Sequence, residues 1–308
     1  MRFLATQVMR GRLQAVSITG LCAVLSMLWM PLTWPIGYLS GASVGLVTLV
    51  HGGREGLLNA FGAAVLVGLT TGLALGDASL AVLFSLTVWL PVWLASWFLR
   101  TTVWFAGGLL VAAGLCALAV LVTYLVVADP GAQWQGLFLE TVLPAMQEAG
   151  MAVQEGADLE RQIAEVSRLM TGMTAAFVLL GVMLSLALAR WWQSTLYHPG
   201  GFREEFQALR LGANAGWGAA AIALLGLLAG GQLAELAINL YPVIVVLFLF
   251  QGLALAHGVI AQLGVHSGWL FGLYALLLIL PQALLLVSAA GFVDNWFDFR
   301  ARLRRGQS

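Results

Sequence analysis

The chain consists mainly of long apolar segments that are separated by short polar connections. Because a transmembrane helix needs about 20 apolar residues, we searched the pattern for segments of that kind. The candidates are residues 13–30, 35–50, 57–76, 79–99, 102–128, 171–192, 214–230, 237–262 and 268–293. The pattern therefore predicts an all-α protein, a polytopic bundle of eight to nine transmembrane helices.

One long polar stretch, about residues 129–170, lies between the fifth and sixth segments. Apolar side chains recur within it at roughly helical spacing, and they are Leu137, Phe138, Val142, Leu143, Met146 and Met151. This spacing predicts an extracytoplasmic insertion of one or two amphipathic helices. The insertion could serve as a connector packed on the bundle or as a lid over an outward-facing cavity.

Composition supports a membrane protein. Of the 308 residues, 61% are hydrophobic and only 9% are charged, against about 25% charged residues in soluble domains. Lipid can solvate so much apolar surface, whereas water cannot. The two cysteines, Cys22 and Cys116, lie inside apolar segments. We therefore expect them to be small core residues rather than a disulfide or a metal pair.

The arginines predict an orientation, because cytoplasmic connections carry the excess of basic residues. Arginines precede the first segment and then recur in alternate connections, at Arg2, Arg10, Arg12, Arg54, Arg100, Arg190, Arg203 and Arg210. The opposite connections contain Asp77 and the acidic stretch 129–170. We therefore expect a multi-pass protein of a bacterial inner membrane, in contact with the lipid bilayer, with its N-terminus in the cytoplasm.

The C-terminal tail conflicts with nine crossings. Its arginines are Arg300, Arg302, Arg304 and Arg305, and nine crossings would place them outside. A cytoplasmic C-terminus requires one segment to be partial, and the weakest ones are 35–50 and the Gly- and Ala-rich 214–230. We expect 214–230 to be re-entrant or partial, which leaves eight crossings and both ends in the cytoplasm.

No spacing in the chain indicates an enzyme active site. The four histidines are scattered, and H-E-x-x-H and the P-loop are not found in the sequence. We therefore expect no catalytic activity, no cofactor, no metal site and no nucleic-acid partner. A transport function would take its energy from a partner or a gradient.

Polar side chains within apolar segments are candidates for ligand binding, because they are costly at membrane depth. The clearest group lies in the eighth segment and just before it, and consists of Glu235, Asn239, Gln251 and His257. Glu235 and Asn239 are four residues apart and share a helix face. The group could form a substrate or proton site. Alternatively, Glu235 lies in water at the interface while Asn239 and Gln251 bond to neighbouring helices.

The C-terminal run 292–302 combines aromatic and charged residues. Its aromatic residues suit the belt at a membrane interface, and Asp298 is expected to pair with Arg302 one turn later. The run could be a helix end with membrane anchors or a docking surface for a cytosolic partner. The contacts of such a surface would be Asp294, Asp298 and Arg300.

Three stretches resemble the YybS-like bacterial membrane proteins, a family whose members carry a domain of unknown function. They are Gly291-Phe-Val-Asp294-Asn-Trp-Phe-Asp298-Phe-Arg300, Tyr197-His-Pro199-Gly200-Gly201-Phe202-x-x-Glu205-Phe206 and Phe250-Gln251-Gly252-Leu-Ala-Leu255. That family is regarded as distantly similar to the substrate-binding S components of energy-coupling-factor transporters. The resemblance implies a six-helix S-component-like core in residues 1–195, which includes the 129–170 loop. Residues 196–308 would then add C-terminal membrane helices and a basic cytoplasmic tail.

In the first segment, Ala15, Thr19 and Ala23 resemble the small-residue stripe by which S components dock on their membrane partner. The resemblance thus implies partner docking at these residues and a small-solute binding or transport-related function with a small-molecule ligand. The alternative is a non-transporting scaffold or accessory subunit that binds a membrane or cytosolic protein. A solid interior without a pocket among the first six segments would argue against solute binding.

Overall fold

A computed structural model describes residues 2–28, 33–150, 157–266 and 268–305. Within this part of the chain the secondary structure is entirely helical, which confirms the predicted fold class. The helices are α1 (Arg2–Val8), α2 (Arg12–Leu28), α3 (Pro35–His51), α4 (Gly53–Leu75), α5 (Ser79–Phe84), α6 (Leu90–Thr102), α7 (Phe105–Val126), α8 (Pro130–Leu137), α9 (Leu143–Glu148), α10 (Ala157–Ser167), α11 (Met170–Tyr197), α12 (Gly201–Gln207), α13 (Ala213–Leu228), α14 (Gly231–Leu263), α15 (Gly268–Ile279), α16 (Pro281–Phe297) and α17 (Phe299–Arg305). One π-helical turn, Ser85–Trp89, joins α5 to α6, and another, Phe138–Val142, joins α8 to α9.

Five helices of the described chain are long and apolar enough to cross a membrane. They are Gly53–Ala74, Ser79–Thr102, Phe105–Val126, Met170–Tyr197 and Gly231–Leu263. Shorter apolar helices cover Arg12–Met27, Pro35–His51, Ala213–Leu228 and Gly268–Ile279. Length and hydropathy therefore support a polytopic helical protein without fixing the predicted count of eight to nine crossings.

Helix α3 lies at the centre of the bundle and packs closely on α11. A Cβ atom added at Gly41 would lie 2.9 Å from Ser185 Cβ, and one added at Gly45 would lie 2.7 Å from Ala189 Cβ. Small residues allow this approach, which increases van der Waals contact between the helices. Such contact matters in a membrane because lipid is as apolar as the side chains and the hydrophobic effect does not drive helices together there. Cys22 and Cys116 are buried and unpaired, in agreement with the prediction.

The two ends of the bundle differ in charge. At one end, Arg12 pairs with Glu55 at 2.6 Å, and Arg100 Nη1 donates to Val50 O at 2.8 Å. We call this the arginine end. At the other end lie Asp77 and the insertion 129–170. The insertion contains α8, α9 and α10, as its periodicity predicts, while Met151 lies outside the described residues. Trp134 Nε1 anchors it to α11 by donating to Thr171 Oγ1 at 3.0 Å.

Helix α16 runs parallel to α14. Ser288 Oγ donates to Val245 O at 3.0 Å, and further along, the Arg300 Cδ lies 3.0 Å from a Cβ added at Gly258. Residue numbers therefore rise together along the two helices, and both end at the arginine end. The segment predicted at 268–293 is split at Leu280, which has an extended backbone (φ −119°, ψ 96°) before Pro281.

Helix α13, which covers the predicted re-entrant segment 214–230, is unbroken over Ala213–Leu228. It runs antiparallel to α14, because Tyr241 Oη donates to Ala223 O at 3.0 Å, while Gly216 lies beside Trp296 at the arginine end. Within the described chain, the apolar segment that reverses direction is therefore 268–293, at Leu280, whereas α13 is unbroken. Hydropathy could not reveal this reversal, since the apolar character continues without interruption across the break at Leu280. The partial crossing of 214–230 stays a prediction.

Candidate functional site

The four polar residues predicted as a substrate site do not converge. Asn239 is 1% exposed and joins three helices. Its Nδ2 donates to Tyr124 Oη and to Arg168 O, both at 2.8 Å, and its Oδ1 accepts the Gly172 N–H at 2.7 Å. All of its polar atoms are thereby used within the chain. Glu235 is half-buried near the same end of α14, one turn from Asn239.

Gln251 belongs to a different environment, nearer the arginine end. Its Oε1 accepts the Leu211 N–H at 3.0 Å, and its Nε2 donates to Asp294 Oδ2 at 3.4 Å. His257 lies further along α14 and lines a large cleft. Since α14 rises about 1.5 Å per residue, Glu235 and His257 are separated by most of the helix length. One ligand cannot contact all four residues.

Polar and charged residues from three parts of the chain form one connected group, the tail cluster, which consists of Arg210, Gln251, Asp294, Asp298 and Arg300. Asp294 is 0% exposed and pairs with Arg300 at 2.7 Å. The Arg300 guanidinium also donates to Gln207 O at 2.6 Å and to Leu209 O at 2.9 Å. The cluster ties the connection between α12 and α13 to both α14 and the tail.

The predicted pair between Asp298 and Arg302 is wrong. Asp298 bonds instead to Arg210 at 2.6 Å, while Arg302 stacks over the Phe297 ring at 5.1 Å. The reason is local, because Asp298 ends α16 in a left-handed conformation with φ 43°. The spacing of four residues places side chains together only where the helix is continuous.

The residues predicted to dock a partner lie mostly inside the chain. Thr19 and Ala23 are 0% exposed and Ala15 is 3% exposed. Thr19 Oγ1 accepts the Asn59 Nδ2–H at 3.1 Å, and Thr19 O accepts from Ser40 Oγ at 2.7 Å. In this conformation the stripe on α2 contacts α3 and α4. Asp294 and Arg300 are likewise buried, so the docking role of these residues stays a prediction.

Two adjoining clefts lie among the first six segments, at the end opposite the arginines, and we call them the paired clefts. The first has a volume of about 390 Å³ and lies among α6, α7 and α11. The second has a volume of about 350 Å³ and lies among α2, α3, α5 and α11. Thr87, Thr174 and Val178 line both clefts and form the wall between them.

The chemistry of the paired clefts is apolar with a few hydroxyl groups. No charged residue lines either cleft. The aromatic residues of the second cleft are Trp34, Tyr38, Phe84 and Phe177. Thr87 Oγ1 donates to Leu83 O at 2.7 Å within its own helix. Such a lining suits an uncharged, largely apolar molecule, and the volumes lie in the usual range for small ligands.

The π-helical turn Ser85–Trp89 provides part of this wall. Its Trp89 is 1% exposed, and Trp89 Nε1 donates to Ser40 Oγ at 2.9 Å. A π-helical turn inserts an extra residue into a helix and frequently occurs at functional sites. Here it places Thr87 at the boundary between the clefts while Trp89 is fixed against α3.

Sequence reasoning did not single out Thr87, Thr174 or the aromatic residues of the clefts. Apolar and aromatic side chains occur throughout the membrane segments, so the residues that line a cleft do not differ in type from those that face lipid. The signal available in the sequence was a hydroxyl group within each of two apolar segments, at Thr87 and Thr174. Among the described residues, no group of three His, Cys, Asp or Glu side chains could hold a metal ion.

The helical architecture and the apolar surface of the bundle define an integral membrane protein. The sequence matches the family model described as predicted membrane protein (DUF2232) over residues 14–295. Because that match covers most of the chain, the protein belongs to this family. Neither the curated proteins nor the solved structures gave a match.

Proposed function

We propose that the protein binds a small, uncharged and largely apolar solute in the paired clefts, as a binding protein rather than an enzyme. The observation that carries this proposal is that the two clefts share the wall formed by Thr87, Thr174 and Val178 within the first six segments. A solid interior there would have argued against solute binding. The insertion 129–170 lies at the same end, since Trp134 lines the first cleft.

The proposal includes an S-component-like role for residues 1–195 and a multi-pass topology in a bacterial inner membrane. In this topology eight segments cross, namely α2, α3, α4, α5 with α6, α7, α11, α13 and α14. The helices α15 and α16 enter from the arginine end and return to it. Both ends then lie in the cytoplasm with the arginines, which satisfies the positive-inside rule. The paired clefts face the outside.

A test is to fill the common wall. Thr174 is exposed at the clefts and its side chain makes no hydrogen bond in the described chain, so a larger side chain there will displace a ligand and little else. We expect Thr174→Trp to remove a small molecule that copurifies with the wild-type protein in mild detergent, as measured by mass spectrometry of the extracted material. The matched control is Leu125→Trp, at a side chain that is 76% exposed and lines neither cleft.

The control variant should retain the molecule at the wild-type stoichiometry. Adding the identified molecule back should raise the thermal unfolding midpoint of the wild-type protein and of Leu125→Trp, because a ligand that binds only the folded state stabilises it. Two results would exclude solute binding in the paired clefts. One is that Thr174→Trp retains the molecule, and the other is that no small molecule copurifies with the wild-type protein.

The rival function is a non-transporting scaffold that binds another protein through the insertion 129–170. Val166, near the end of α10, and Leu169, just before α11, are 54% and 42% exposed and would supply apolar contacts. Photocrosslinking from position 166 in cells should then recover a stoichiometric protein partner. The tail is a weaker docking surface, because Asp294 and Arg300 bond to each other inside the chain.

A further inference from the structure

A second and larger cleft lies at the arginine end, between α11 and α14, and we call it the arginine-end cleft. Its volume is about 920 Å³, and α12 and α15 provide the remaining walls. It shares no lining residue with the paired clefts. Its function is therefore separable from solute binding in the paired clefts.

The polarity of the arginine-end cleft changes along its length. Its inner part is apolar and is lined by Leu180, Leu184 and Leu249. The part nearest the arginine end is lined by Thr195, Arg203 and His257. From Leu180 to Thr195 the cleft follows α11 for about 22 Å at the helical rise of 1.5 Å per residue. That distance reaches from the headgroup level past the middle of a hydrocarbon core about 30 Å thick.

The guanidinium group of Arg203, in the part of the cleft nearest the arginine end, forms no ion pair with the described chain. Arg203 is exposed, and its side chain makes neither an ion pair nor a hydrogen bond in the described chain. No salt bridge joins Arg203 to the adjacent Glu204 in the described chain, and Glu205 is already paired with Arg190 at 2.7 Å. An anionic ligand at Arg203 would thus form a charge-assisted hydrogen bond without first breaking one.

His257 offers a second polar contact. Its Nδ1 lies 2.9 Å from Leu253 O, and since a carbonyl can only accept, Nδ1 carries the proton in this bond. Its Nε2 is left without a partner in the described chain. The ring is held in place by Phe206 and Tyr274, whose ring centroids lie 5.4 and 5.9 Å away.

We propose that the arginine-end cleft binds one anionic phospholipid from the adjacent leaflet. The lipid phosphate contacts Arg203, a headgroup hydroxyl donates to His257 Nε2, and one acyl chain lies between α11 and α14. Entry is lateral, because Leu184 and Trp191 are 36% and 39% exposed on the outer side of the cleft. A free phosphate would leave the apolar inner part unfilled, so the length and polarity of the cleft favour an amphiphile.

The test is lipid binding by the full-length protein in nanodiscs of phosphatidylcholine that contain a minority of phosphatidylglycerol as the probe. Native mass spectrometry counts the phosphatidylglycerol molecules retained. We expect Arg203→Gln to weaken retention of one molecule roughly tenfold, which corresponds to the loss of one charge-assisted contact. The matched control is Arg54→Gln, at another exposed and unpaired arginine that lies outside the cleft, and its retention should equal that of the wild type.

A second variant tests whether an acyl chain lies in the cleft. Ala187 is half-buried in the wall of the cleft, and Ala187→Phe should lower phosphatidylglycerol retention although Arg203 is intact. Soluble glycerol 3-phosphate should not compete with the lipid. Equal losses in Arg203→Gln and Arg54→Gln would show only general attraction of anionic lipid to the arginine end. That result, or competition by glycerol 3-phosphate, would overturn the proposal.

Discussion

At the scale of single residues, the buried ion pair Asp294–Arg300 stands out because of its desolvation cost. Both side chains are almost completely buried, and removing two charges from water is costly unless every polar atom is satisfied. Here Asp294 Oδ1 accepts the Phe299 N–H at 3.0 Å, while Oδ2 accepts from Arg300. The pair is therefore stable only while the whole tail cluster is assembled.

Replacing Asp294 by leucine should destabilise the protein by about 3–5 kcal/mol, because the Arg300 charge would stay buried without its partner. The measurement is the free energy of unfolding in detergent micelles. The double variant Asp294→Leu with Arg300→Met should recover much of the loss, since no unpaired charge is left.

Asp158 supplies a control for this prediction. It lies 3.9 Å from Arg161 on the exposed surface of α10, with both side chains largely in water. Exposed pairs contribute little to stability, so Asp158→Asn should leave the free energy of unfolding nearly unchanged. Equal effects of the Asp158 and Asp294 variants would show that burial of the tail pair has no energetic consequence.

At the scale of helices, the contact between α14 and α16 depends on two glycines. A Cβ atom at Gly252 would collide with the Val287 carbonyl group, and one at Gly291 would collide with the Phe248 carbonyl oxygen. These obstacles are backbone atoms, which cannot rotate away as a side chain can. The parallel packing of α16 on α14 therefore requires glycine at both positions.

Gly252→Ala should destabilise the protein by about 1–3 kcal/mol, because the two helices must separate to accept the methyl group. The unfolding midpoint in detergent and the accessibility of a cysteine in α16 would both report the change. Gly272→Ala is the matched control, since nothing lies within 4 Å of a Cβ at that position. A stability of Gly252→Ala as high as that of the control would contradict the close packing.

At the scale of the whole molecule, α16 returns to the arginine end, and in the proposed topology this return places the C-terminal tail in the cytoplasm. We predict that a membrane-impermeant maleimide labels Asp77→Cys in intact cells and labels Arg302→Cys only after permeabilisation. The native Cys22 and Cys116 are buried and should give little background. Labelling of Arg302→Cys in intact cells would place the tail outside and would indicate nine crossings.

Much of the fold could be predicted because apolar length is a local property. The segment 171–192 corresponds to α11 (Met170–Tyr197), and 13–30 corresponds to α2 (Arg12–Leu28), although its last two residues lie outside the described chain. The helical insertion was also predictable from its periodicity. The break at Leu280 was not, since one extended residue before a proline changes the direction of the chain without changing its hydropathy.

The candidate sites could not be predicted for a related reason. In a membrane both the lipid-facing and the core-facing side chains are apolar, so the sequence does not show which of them enclose a cleft. Asn239 and Gln251 were recognisable as unusual from the sequence. Only the structure could show that Asn239 joins α7 and α11 to α14, while Gln251 belongs to the tail cluster.

The sequence by itself determined that the chain is a helical membrane protein with its arginines on alternate connections, because hydropathy and charge act on each segment separately. The tertiary structure alone decided which segment turns back and which charges pair. Arg300 bonds to Leu209 across 91 positions and Arg210 bonds to Asp298 across 88. Such partners are chosen by the packing of distant helices, and no local pattern along the chain records that choice.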